Sequence, residues 1–192
     1  RFILNTKRDE SSSSRSSRLL LNKRFKSEDI QPTMLLQICK GVKGSLHTSM
    51  LAFMLHTGSD LGLDIQNNDG STALILAASK GHTDIAASLI AEGANMDIQT
   101  QNGNTALILA AWKGHTDIAA SLIAKGADIH IQNKHGDTAL ILAAQNGHTD
   151  IAASLIAKGA DIHIQDKYGN TALILAAQNG HTDIAASLIA KG

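Results

Sequence analysis

Asn104-Thr-Ala-Leu-Ile-Leu-Ala-Ala-Trp-Lys-Gly-His-Thr-Asp-Ile-Ala-Ala-Ser-Leu-Ile-Ala-Lys-Gly-Ala-Asp128 recurs with few changes from Ser71, Asp137 and Asn170, always 33 residues apart and always directly after a glycine: Gly70, Gly103, Gly136 and Gly169. Each copy reads as two short helices. Thr72, Thr105, Thr138 and Thr171 stand where an N-cap is wanted, because a hydroxyl there accepts from the free N–H groups of the first turn. Gly81, Gly114, Gly147 and Gly180 follow the Ala-Leu-Ile-Leu-Ala-Ala run and suit the left-handed conformation that ends a helix. A second helix is expected over about Thr83 to Ala91, with Ile85, Leu89 and Ile90 on one apolar stripe. Neither helix is long enough to persist alone in water, so stability must come from stacking one copy on the next.

This unit resembles the ankyrin repeat, a β-turn followed by two antiparallel helices. The resemblance covers about residues 67–192, and a weaker relative, Leu46-His-Thr-Ser-Met-Leu-Ala-Phe-Met-Leu-His-Thr-Gly58, aligns with Gly81 to Gly93. It implies an all-α fold, an ankyrin-repeat solenoid of stacked antiparallel helix pairs with β-hairpin turns. The expected organisation is a basic, Ser/Arg-rich, flexible tail over 1–31, a divergent N-terminal capping repeat over 32–67, and four repeats over 68–192, the last uncapped or truncated. One departure stands out. The family's Thr-Pro-Leu-His is Thr72-Ala-Leu-Ile75 here and in every later copy, which removes a pre-set backbone angle and a polar tie and leads us to expect softer turns.

Composition narrows the function. No apolar run approaches the roughly 18 residues of a membrane-spanning helix, so no membrane partner is expected. The lone Cys39 rules out an internal disulfide framework and fits a reducing, cytoplasmic setting. Formal charge is zero but uneven: residues 1–30 hold eight Lys or Arg against four Asp or Glu, leaving nine against thirteen in the remainder. A mildly acidic array is a poor match for nucleic acid, which needs a clustered basic face. Ser11-Ser-Ser-Ser-Arg-Ser-Ser-Arg18 has the low complexity of a solvated leader or of a docking or phosphorylation segment. The chain opens on Arg1 and stops at Gly192, just as a second helix ends, so a fragment is expected.

Differences between copies point to the binding residues. Lys134 to Gly159 and Lys167 to Gly192 differ at only two of 26 positions, His135 against Tyr168 and Asp137 against Asn170, and both flank the hairpin glycine. Across the four copies variation gathers at Asn68, Gln101, Lys134 and Lys167, at Asp69, Asn102, His135 and Tyr168, and at Ser79, Trp112, Gln145 and Gln178. Drift at exposed sites would leave the same pattern. In the ankyrin family the corresponding hairpin tips and first-helix ends line the concave partner-binding face, so the resemblance implies partner contact at Asp69, Ser79, Gln101, Asn102, Trp112, Lys113, Lys134, His135, Gln145, Lys167, Tyr168 and Gln178. Trp112, the only Trp, is either an anchor worth about 2 kcal/mol or more or a ring lying flat on neighbouring stems.

Other chemistry is poorly served. His82, His115, His148 and His181 recur once per repeat, about 10 Å apart for packed helices, whereas zinc ligands lie about 2 Å from the metal. Cys39, His47 and His56 have no known ligand spacing, and no metal or other cofactor is expected. Ser88, His82 and Asp84 supply triad residue types, but the same set recurs in all four copies, as packing requires and catalysis does not. Gly41-Val-Lys-Gly44 matches the GxxG of an RNA-binding loop without its fold. The reading is a noncatalytic, monomeric protein-protein interaction scaffold, its alternative a targeting or regulatory segment of a larger enzyme or membrane protein. Near-identical copies look like recent duplication, as in large ankyrin families of intracellular bacteria, which makes an effector in host cytosol one form of that scaffold.

Overall fold

A computed structural model describes residues 62–192, and the helices there pair as the repeat predicts: α1 Ala73–Lys80 with α2 Thr83–Ala91, α3 Ala106–Lys113 with α4 Thr116–Ala124, α5 Ala139–Asn146 with α6 Thr149–Ala157, and α7 Ala172–Gln178 with α8 Thr182–Lys191. The tail over 1–31, most of the expected capping repeat over 32–67, and with them Cys39, His47, His56 and Gly41-Val-Lys-Gly44 lie outside the described residues. Among the described residues the hairpins are turns without strand pairing.

The local signals act as their chemistry demands. Thr72, Thr105, Thr138 and Thr171 are extended, and their Oγ1 atoms accept from the N–H of Ile75, Ile108, Ile141 and Ile174 at 3.3, 3.2, 3.3 and 3.3 Å. Such a cap is worth about 1 kcal/mol. Gly81, Gly114 and Gly147 close α1, α3 and α5 at φ 73, 76 and 75°. The last copy differs: α7 stops one residue sooner, on Asn179.

The core lies between repeats. Leu74, Leu107 and Leu140 of the first helices and Leu89, Leu122 and Leu155 of the second are almost wholly buried, each contributing about 1.5–3 kcal/mol. Ala77, Ala78, Ala110, Ala111, Ala143 and Ala144 are completely buried, and their small side chains let successive first helices approach closely. First helices pack on one another more extensively than second helices do. Successive repeats are therefore held together more closely on the first-helix side, the side that the ankyrin resemblance implies is concave.

Polar ties hold the turns in place of the missing Pro and His. Asn67 Oδ1 accepts from the N–H of Asp69 and Ser71, Asn133 Oδ1 from His135 and Asp137, and Asp166 Oδ1 from Tyr168 and Asn170. Gln66, Gln99 and Gln132 each donate to the carbonyl of their own hairpin glycine and to the carbonyl of the Gln one repeat later, Gln99 doing so at 2.8 and 3.2 Å. That ladder carries the register from repeat to repeat.

Candidate partner-binding face

Two rows of side chains run along the concave side, and backbone chemistry fixes both. The first row is the hairpin tips. Gln101 N–H donates to the Asp69 carbonyl, Lys134 N–H to that of Asn102 and Lys167 N–H to that of His135, each at 2.9 Å. Gly70 and Gly103 permit this approach, since a Cβ on either would come within 2.9 Å of the next tip's backbone nitrogen. The tips are thus zipped together, and Asp69, Gln101, Asn102, Lys134, His135, Lys167 and Tyr168 are all exposed along the row. Tyr168 leaves 82 % of its surface open. The Gln101 side chain is partly spent on the zipper, donating to the Asn68 carbonyl at 2.6 Å.

The second row comes from the C-terminal ends of the first helices. Ser79 is half-buried, while Gln145 and Gln178 are exposed. Trp112 is 46 % exposed, and the Lys113 ammonium stands 3.9 Å from the centroid of its ring. This contact is worth about 0.5–1 kcal/mol at an exposed site. The following repeat steadies the backbone beneath: the His148 imidazole reaches the Trp112 carbonyl at 3.3 Å, and His181 reaches that of Gln145 at 3.2 Å.

Those histidines explain the once-per-repeat spacing. The rings of His115, His148 and His181 cover Gly81, Gly114 and Gly147 of the preceding repeat so closely that a Cβ there would meet ring carbon at 2.7, 2.5 and 2.5 Å. They are spacers between repeats. The repeated serines are also committed, since the hydroxyls of Ser88, Ser121, Ser154 and Ser187 donate to the carbonyls of Asp84, Asp117, Asp150 and Asp183 one turn back in their own helices. None of the four hydroxyls is paired with a histidine.

Electrostatics distinguish one hairpin. Burial by itself raises the Asp166 carboxyl, but hydrogen bonds from the Asn170 side chain, the Asn170 N–H and the Tyr168 N–H outweigh it and hold the group below its ordinary value. That carboxylate sits beneath Tyr168 and fixes the tip that presents it. Lys80, at the end of α1 in the position equivalent to Lys113, belongs to the same row and was not singled out by copy variation, although Asn146 and Asn179 replace it later. Both asparagines turn back onto their own helices, to the carbonyls of Leu142 and Leu175.

The family model for ankyrin repeats (3 copies) matches residues 35–133 and 120–192. The chain belongs to the ankyrin-repeat family. Ankyrin repeats are in general protein-protein interaction modules rather than catalysts. A comparison with curated proteins returned no match. Among the described residues of this ankyrin array, no helix is long and apolar enough to cross a membrane.

Proposed function

We propose that the array is a noncatalytic scaffold that grips a partner protein through its concave side, with Trp112 and Tyr168 as anchors. Trp112 carries the reading. A large ring left nearly half open, on backbone fixed by His148, is a preorganised contact whose burial by a partner is worth about 2 kcal/mol or more. Tyr168 adds a rigid amphipathic side chain on a tip held by Asp166. Lys113, Lys134, His135, Lys167, Gln101, Asn102, Asp69, Ser79, Gln145 and Gln178 supply the polar surround. The protein acts as a monomer in the cytoplasm, or in host cytosol if it is an effector.

The test is an affinity capture from eukaryotic cytosolic lysate with the full chain, beside a Trp112→Ala, Tyr168→Ala variant of matched thermal stability. A protein taken by the first bait and lost from the second is the expected result. Equal capture by both baits removes the two rings from the binding reading.

A further inference from the structure

The described residues carry seven lysines and twelve Asp or Glu, no arginine, and hence a formal charge of −5. The fold sorts these charges by face. Eight aspartates lie on the second helices and the loops beyond them: Asp84, Asp117, Asp150 and Asp183 in first turns, where the helix dipole favours them, and Asp64, Asp97, Asp128 and Asp161 in the loops. Glu92, Lys125, Lys158 and Lys191 close the second helices, so the second helices and these loops together hold nine carboxylates against three lysines. The concave side is near balance, and its two rows differ: the helix ends carry Lys80 and Lys113 and no carboxylate, the hairpins two lysines against three aspartates. Lys80 and Lys113 end first helices, Lys134 and Lys167 occupy hairpin tips, and their carboxylate neighbours are Asp69, Asp137 and Asp166. Two of those three are held inside their own hairpins: Asp137 accepts from the Asn133 side chain and Asp166 from Asn170 and Tyr168. Asp69 is the exposed acid of the hairpin row. Among the described residues, none of the four lysines is in an ion pair.

Resting on the concave-face reading, we infer that the partner presents a short acidic segment, with an apolar residue that meets Trp112, to Lys80 and Lys113 of the helix-end row and to Lys134 and Lys167 of the hairpin row. An ammonium already seated over the indole places a positive charge beside an open apolar surface, which suits a carboxylate next to an apolar side chain. The reach of these lysines is local, since charges are screened beyond about 8 Å at physiological salt. A short peptide strand along the helix ends meets Lys80 and Lys113 in a row without a carboxylate. A nucleic acid or an anionic bilayer extends past it and meets the −5 array as a whole, which disfavours both.

The full chain is panned against a displayed library of random peptides, and captured peptides are titrated with Trp112 fluorescence as the readout, so that binding to the basic segment before residue 31 is silent. The same titration is run on a Lys80→Gln, Lys113→Gln, Lys134→Gln, Lys167→Gln variant and with a poly-dT oligonucleotide and phosphatidylserine vesicles as competing probes. Peptides that change Trp112 emission are expected to be rich in Asp and Glu, to lose affinity about tenfold or more on the variant, to weaken with added salt, and to tighten on Asp69→Asn. Should the quadruple variant unfold at a lower temperature than wild type, single Lys113→Gln and Lys134→Gln variants replace it. Neutral or basic peptides that alter Trp112 emission, or acidic ones indifferent to the lysines, overturn the acidic partner and leave the concave scaffold standing. Capture that never disturbs Trp112 overturns both readings. Oligonucleotide or vesicle binding tighter than any peptide transfers the face to that ligand and overturns the proposal.

Discussion

The His148 imidazole covers Gly114 and places Nε2 3.3 Å from the Trp112 carbonyl oxygen. A carbonyl only accepts, so Nε2 carries the proton and donates. The one large exposed ring of the second row is therefore positioned by the repeat after its own.

Gly114→Ala tests that arrangement. The added Cβ falls 2.5 Å from the His148 ring at φ 76°, so both left-handed strain and a clash are felt, and a loss of about 2–4 kcal/mol is expected. Gly126 has φ 89° and nothing within 4 Å, so Gly126→Ala is expected to cost only the strain, about 1–2 kcal/mol. Urea midpoints give the comparison. Adding His148→Ala to Gly114→Ala should cost less than the sum of the two single changes, because they share one contact.

Acid should act through the fourth hairpin. A carboxyl held below its ordinary value of 3.8 in the folded chain contributes stability that is present above that value and lost as pH falls through the lower folded one. Asn133 occupies the equivalent position one repeat earlier, so Asp166→Asn is expected to fold. Its thermal midpoint should vary less with pH than that of wild type below about pH 4. Parallel profiles of the two proteins would show that Asp166 contributes nothing to acid sensitivity.

Gln99→Ala removes a side-chain amide that ties the Gly103 and Gln132 carbonyls together. A loss of about 1 kcal/mol is expected for this pair of bonds, one part-buried and one exposed. Amide exchange should quicken around residues 100–104 and 133–137 and remain unchanged in α7 and α8, since a stacked array transmits loosening mainly to neighbours.

Ile156 is 8 % exposed and Ile189, its equivalent on α8, 67 %. Ile156→Glu places a carboxylate between repeats and should cost several kcal/mol, enough to unfold the adjoining pairs. Ile189→Glu should stay within about 0.5 kcal/mol and reduce self-association at high concentration, as removing an exposed apolar side chain does. Circular dichroism and light scattering read the two outcomes.

Much of this architecture was legible in the residue string because its signals are local and repeated. A threonine cap reaches the N–H three residues on, a glycine ends a helix within its own turn, and an Ile-Leu stripe marks a buried face, so Thr105, Gly114 and Ile118 disclosed their places within one repeat. The candidate face was legible in part. Copy variation singled out Trp112 and Tyr168, which are exposed, but it passed over Lys80 and could not foresee Lys113 above the indole ring.

The sequence by itself determined the period, the helix pairs, their caps and the buried stripe, since each depends on residues within a turn or two of one another. Tertiary structure alone decided what lies across a repeat boundary: His148 on Gly114, the hairpin zipper from Asp69 to Lys167, and a helix-end row of lysines without carboxylates within an array whose summed charge is acidic. Summed charge ignores direction, whereas stacking assigns every lysine and aspartate to a side.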